Sequence, residues 1–445
     1  MTSDEQVRAA PRFECDAGVV VGWRDAGVVR ATGLRYARAE RHAAPVAEPP
    51  VPVEDGPILA TSWSPACPQV GSPLLQRMFP AGFGDLDQDE HCQALSVTVP
   101  EDAAPGDDLP VMVFLHGGSY VSGAGDVPMH DPATLVREER VVVVSVNYRL
   151  GLFGFLGHAD RPANLGLLDQ VEALRWVRRN VRGFGGDPGN VTAFGESAGA
   201  DAVLHLMVAE GARGLFHRAI VQSAPLGITR GREAMSEAMA AEAGTIPADA
   251  PVEEVLGHYE RVNDRARSFG LLGGMPFGVQ YGRSPVPAED DVEAAWAAVA
   301  PDVDVLIGTN SRETSFFVSE VPVVARVGGL PVVGRALVEL LVRLLTWRIY
   351  TRDAVRWLRR HRAAGGRGGR HTLSWGPRGN PLAGAHTVDL ALLFPNPEGW
   401  AGSPLLDGAG WDDVVAAGRP VRRVWAAFAR TGELADPGCG HLTLH

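Results

Sequence analysis

The chain has 445 residues, with 41 basic against 53 acidic side chains and a net charge of −12 with histidine neutral, which argues against nucleic acid as its main partner. Hydrophobic residues make up 45% and charged ones 21%, at a mean hydropathy of −0.01, a balance that excludes a wholly disordered or membrane-embedded chain. Length alone fits one or two folding units with ample core.

The start, MTSDEQVRAAPRFE, has no apolar stretch behind a basic one, so no secretory signal is read and a cytoplasmic location is expected. The four cysteines, Cys15, Cys67, Cys92 and Cys439, match no zinc spacing and are too few for a disulfide scaffold. No metal or organic cofactor is implied.

The apolar runs Val111–Leu115 and Val141–Val146 lack polar alternation and read as strands buried on both faces. From Leu168 to Arg182, apolar positions recur every three or four residues with arginines between them, which predicts an amphipathic helix. A Gly-rich turn follows, then an extended run over Val191–Phe194 and helical spacing over Ala198–Glu210. Alternating strand and helix predicts a mostly parallel sheet with helices on both faces.

Further strands are expected at Ala219–Gln222 and Val303–Gly308, with helices over Glu233–Ala243 and Leu337–Arg360. The stretch Val323–Trp347 is broken by arginines, a glutamate, glycines and a proline, so no stable membrane span is expected. Its helical part, Leu337–Tyr350, is read as core-packing, with a lid or a membrane-surface helix as alternatives. Arg360–Arg370 reads as a solvated Gly/Arg loop.

Gly195-Glu196-Ser197-Ala198-Gly199 has the form G-x-S-x-G between a strand and a helix, where a nucleophile elbow belongs. The serine must stand in a strained turn, and the flanking glycines let helix and strand pass closely. The helix beginning at Ala198 directs unpaired N–H groups at the place where an oxyanion would form. His116-Gly117-Gly118-Ser119, at the carboxyl end of the first strand, supplies further amides, so Gly118, Ser119 and Ala198 form a candidate oxyanion hole.

A serine hydroxyl needs a base, and the base an orienting carboxylate. In this strand–turn–helix arrangement the order is serine, acid, histidine, which removes His116, His130 and His158. His386, in a short Gly-bearing loop, is the best candidate base and His371 the runner-up; His361 falls in the Gly/Arg loop, and His441 and His445 in a tail expected to fray. Glu313 follows the strand Val303–Gly308 and is the candidate acid. Asp302 and Asp304 belong to the wrong end of that strand, and Glu320 lies further on.

These residues resemble the type B carboxylesterase family of α/β-hydrolases. The resemblance is strongest over Asn164–Gly199 and extends to HGGSYVSGAG from His116, VNYRLGLFGFL from Val146, GTNSRE from Gly308, GAHTVDL from Gly384 and WAAFARTG from Trp425. It implies an α/β-hydrolase fold with a single catalytic domain over 1–445, and a helical pocket or lid region around 228–300 and 320–365. It implies Ser197 as nucleophile, Glu313 as acid, His386 as base and the amides of Gly118, Ser119 and Ala198 as oxyanion hole, acting on a small-molecule carboxylic ester through an acyl-enzyme. Amide or carbamate cleavage by the same machinery, or a noncatalytic binding protein on the same fold, are the alternatives.

The resemblance further implies a buried Arg149–Asp169 ion pair, a second pair involving Glu90, and a Cys67–Cys92 disulfide, although reduced thiols are expected without a signal peptide. Ala224 after Ser223 and Asp389 in place of a frequent glutamate depart from the family pattern.

Overall fold

In the computed structural model, which describes residues 10–83, 87–158, 161–318, 321–330 and 333–445, one large twisted sheet organises the chain. Its ten strands are β1 (Trp23–Asp25), β2 (Val28–Arg35), β3 (Ala94–Pro100), β4 (Leu109–Leu115), β5 (Val142–Val146), β6 (Gly186–Glu196), β7 (Arg218–Gln222), β8 (Asp304–Asn310), β9 (Gly368–Leu373) and β10 (Leu442–Leu444). They lie in the order β10-β9-β8-β7-β6-β4-β5-β3-β2-β1. The six from β5 across to β9 pair in parallel, while β3, β2 and β1 at one side and β10 at the other pair antiparallel.

The helices that matter for the site are α1 (Leu165–Asn180), α2 (Ala198–Leu206), α3 (Glu233–Ala243), α4 (Gly334–Thr346), α5 (Arg352–Ala363), α6 (Val388–Leu393) and α7 (Trp411–Thr431). Because strand side chains alternate, β4 and β5 feed two cores. Val111, Val113, Val142 and Val144 pack with α1 and α2 on one face, whereas Met112, Phe114, Val141 and Val143 pack with α6 and α7 on the other. This double burial is why both strands read as continuous apolar runs.

Buried charge is paired. Arg149 reaches Asp169 through Nη2 at 2.7 Å and Nε at 2.8 Å, with both side chains inaccessible, and its Nη1 donates to Ala43 O at 2.8 Å. The pair ties the loop after β5 to the first turns of α1. Asp169→Ala leaves the guanidinium unpaired in the interior, so it is expected to destabilise the fold by about 3–5 kcal/mol. Denaturant unfolding checks this, and a loss under about 1 kcal/mol would mean that water solvates the site. Glu90 forms a second pair, with Arg41. Cys67 and Cys92 are buried free thiols, and Cys67 Sγ accepts from Leu150 N at 3.2 Å.

Three expectations are corrected. The helix read over Leu337–Arg360 is two helices, α4 and α5, joined by a wider turn at Trp347–Thr351, and α4 packs with one side only. Leu337, Leu340, Leu344 and Trp347 are exposed, so α4 is not a core helix. The Gly/Arg loop shrinks to 364–367: His361 lies in α5, its ring stacked on Trp357 at 5.0 Å, and Arg370 and His371 lie in β9. The tail does not fray, because Leu442 docks into the core and the chain completes the sheet edge as β10. Among the described residues no helix is long and apolar enough to cross a membrane.

Candidate active site

Strand β6 and helix α2 meet at Ser197, whose backbone sits at φ 58° and ψ −122°, a region that non-glycine residues avoid. The crossing is tight: a Cβ on Gly199 would collide with Leu115 O of the neighbouring strand, and one on Gly117 would stand 2.8 Å from Glu196 O. Only glycine permits these approaches. Ser197 N donates to Gln222 O at 2.9 Å, anchoring the turn to β7. The serine itself is 9% exposed, at the floor of a cleft of about 340 Å³.

The cleft is walled by Leu74, Phe79, Phe83, Phe316, Phe317 and Leu390, and it holds Gly118, Ser119, Glu196 and His386 beside Ser197. Gly118, Ser119 and Tyr120 all have positive φ, at 107°, 57° and 61°. Tyr120 OH donates to Asp201 Oδ2 at 2.7 Å, which fastens this loop to α2 one turn beyond the serine. Among the described residues the amides of Gly118 and Ser119 donate to no protein group, leaving them free for a ligand oxygen. Ala198 is the first residue of α2, so its N–H belongs to the unpaired first turn.

Glu313 follows β8 and is fully buried behind the cleft, where Oε2 meets His386 Nδ1 at 2.6 Å and Oε1 accepts Asn310 N at 2.7 Å. The histidine loop is held from below by a buried network. Asn310 Nδ2 donates to Ala385 O and to Asp389 Oδ1, both at 2.9 Å; Gln222 Nε2 donates to Asp389 Oδ2 at 2.6 Å, and Trp425 Nε1 to Gln222 Oε1 at 3.0 Å. Asp389, the departure from the family pattern, is thus fully engaged. The His386 ring lies 5.3 Å from those of both Tyr350 and Phe317.

The sequence reading missed Glu196. Its Oε1 stands 3.1 Å from His386 Nε2, the nitrogen that a base would turn to the serine, and accepts Thr387 Oγ1 at 3.4 Å. Among the described residues no hydrogen bond joins Ser197 Oγ to Nε2, an apo geometry that substrate binding can tighten. Burial lifts the Glu196 carboxyl to about 8, with His386 drawing it back. Burial also opposes charging of His386, but Glu196 and Glu313 outweigh it and raise the imidazole to about 9. The signal was inside the motif: the residue before Ser197 ends a strand on the cleft wall.

The other candidates lie elsewhere. His371 is buried in β9 against Trp425, its ring held neutral by burial at about 3, and His116 is likewise lowered to about 3, stacked on Tyr148. His441 Nε2 donates to Ala417 O at 2.9 Å, just before the edge strand β10. Asp304 pairs with Arg367 at the opposite end of β8. Glu320 lies outside the described residues.

A mostly parallel sheet with helices on both faces and a strained serine between strand and helix is the α/β-hydrolase fold. The chain matches the carboxylesterase family over residues 16–327 and belongs to it. It is 35% identical over 419 residues to a probable N-octanoylanthranilate hydrolase of Rhodococcus erythropolis, covering 91% of this chain and 89% of that one. It is 31% identical to the para-nitrobenzyl esterase of Bacillus subtilis (strain 168), over 93% of this chain and 88% of the relative. A thermophilic para-nitrobenzyl esterase structure superposes with a TM-score of 0.78 at 25% identity, over 98% of each chain. The protein is a carboxylesterase.

Proposed function

We propose that the protein cleaves a small-molecule carboxylic ester through an acyl-enzyme on Ser197, with His386 as base, Glu313 as its orienting acid and the amides of Gly118, Ser119 and Ala198 as oxyanion hole. The observation that carries this reading is the 2.6 Å contact between Glu313 and His386 Nδ1, which leaves Nε2 as the nitrogen in the cleft that holds Ser197. His386 Nε2 takes the Ser197 proton as Oγ attacks the carbonyl carbon. The tetrahedral oxyanion is held by the free amides, and collapse expels the alcohol, to which His386 returns the proton. Water, deprotonated by the same nitrogen, then releases the acid. Glu313 accepts from Nδ1 and keeps the imidazole in place.

Hydrolysis of para-nitrophenyl esters from acetate to a medium chain, beside the matched anilides, tests the reading. Turnover of the esters with a chain-length optimum set by the phenylalanine-lined cleft is expected. Faster turnover of the anilides would replace it with amide hydrolysis, the activity that the N-octanoylanthranilate hydrolase's name suggests for that relative.

Glu196 gives the pH dependence a sign. A carboxylate facing Nε2 favours the imidazolium, which cannot accept the serine proton, so kcat/KM should rise with pH as His386 deprotonates. Glu196→Gln removes that charge, and the ascending limb is expected to move down by about one pH unit or more. A limb that stays in place would mean that Glu196 is itself protonated in the resting enzyme.

A further inference from the structure

Helix α4 has two unlike sides. Its inner side is bolted to the catalytic loops: Thr314, next to Glu313, donates through Oγ1 to Val342 O at 2.9 Å, Arg312 pairs with Glu339 at 2.8 Å, and Tyr350 beyond the helix end packs on His386. Its outer side carries Leu337, Leu340, Leu344 and Trp347 in one stripe at helical spacing, the last three 54%, 55% and 52% exposed. Leu330, before the helix, is 50% exposed, and Phe317, 37% exposed, lines the cleft. Folded monomers rarely leave a helix face with four large apolar side chains exposed without an occupant.

The charge around the stripe identifies the occupant. Residues 321–348 carry four arginines and one carboxylate in a chain whose net charge is −12. Arg326, Arg335 and Arg343 are exposed, and the carboxylate, Glu339, is already paired with Arg312 and Arg343. A symmetric dimer through this face would bring two net positive segments together. An anionic amphiphile surface complements the charge of the segment, accepts the leucines and suits Trp347 at the boundary between apolar and polar layers. The acidic remainder of the chain is screened beyond about 10 Å in ordinary salt.

We infer that the outer face of α4 is a docking surface for an anionic lipid interface, which holds the mouth of the catalytic cleft against that interface. Docking needs no turnover; that it presents lipid-borne esters to Ser197 rests on the proposed function. The test is sedimentation with vesicles of ether-linked phosphatidylglycerol, which offer no ester to cleave, using the wild type, the Ser197→Ala variant and the Leu340→Glu/Leu344→Glu double variant.

Wild type and Ser197→Ala should bind alike, and about tenfold or more weakly to ether-linked phosphatidylcholine, because each basic residue near an anionic surface adds to the attraction. The double variant should lose binding at least about tenfold while hydrolysing a soluble short-chain ester at the wild-type rate, which also reports that it folds. Equal binding by the double variant, or no binding by the wild type, overturns the inference. So does a wild-type dimer, seen by sedimentation velocity, that the double variant abolishes, since a second copy would then cover the stripe. Binding by a wild type that hydrolyses no ester would leave the docking intact and remove the proposed function instead.

Discussion

Ser197→Ala is expected to fold normally and to lose ester hydrolysis by a factor on the order of 10⁴ to 10⁶ in kcat, the range seen when a nucleophile that acts as a unit with its base is removed. The elbow leaves nothing to replace it. The cleft offers a strained serine, free amides and the His386 imidazole, and without Oγ the amides alone can only polarise a carbonyl for attack by water. The substitution deletes one oxygen from a side chain at the cleft floor, and the turn is held by Ser197 N and by glycines at 199 and 117 rather than by the hydroxyl. An unchanged unfolding midpoint should therefore accompany the loss. Turnover within about tenfold of wild type would place the chemistry at another residue.

The second large effect is expected at Glu313. Its two oxygens accept from His386 Nδ1 and from Asn310 N, so the carboxylate is acceptor-only at both ends. In Glu313→Gln the oxygen can satisfy one of these donors, and the amide NH₂ then opposes the other. If it faces Nδ1, the imidazole must carry its proton on Nε2 and cannot take one from serine. A fall in kcat on the order of 10⁴ is expected with KM little changed, because the group touches no substrate. Steady-state kinetics on a para-nitrophenyl ester decide it. A fall of under about tenfold would mean that Glu196, 3.1 Å from the other ring nitrogen, is the carboxylate that serves the base.

That ambiguity marks where sequence reasoning stops. Ser197, the proposed nucleophile, stands out in sequence because its turn imposes glycines at fixed offsets, and Glu313, the proposed acid, because it follows a buried strand at its carboxyl end. His386 was separable from His371 by loop chemistry alone, and the structure gives the physical reason: His371 points from β9 into the core against Trp425. Glu196 was in plain view but carries no spacing rule, since its approach to Nε2 depends on how the histidine loop returns from 73 residues beyond Glu313. The network of Gln222, Asn310, Asp389 and Trp425 joins four elements far apart in sequence, so no local pattern announces it.

The fold divides in the same way. The parallel strands were legible because both faces are buried and their composition is uniform. The antiparallel side was not: β2 buries Arg30, satisfied by Asp25 at 2.9 Å and Asp131 at 2.8 Å, so a charged residue interrupts the expected pattern. The edge strand β10 is three residues long and gains its order from pairing with β9. The exposed leucines of α4 share the period of a core helix, and period alone cannot say whether the protein's interior or something outside it faces them.

The measurement that bears most directly on the proposed chemistry is the site of covalent modification by a fluorophosphonate, read by intact and peptide mass spectrometry. One adduct on Ser197 is predicted, absent in Ser197→Ala and formed at least about a hundredfold more slowly in His386→Ala, since the base activates the attacking oxygen. An enzyme that hydrolyses esters yet carries the adduct on another residue, or carries none, would contradict the account.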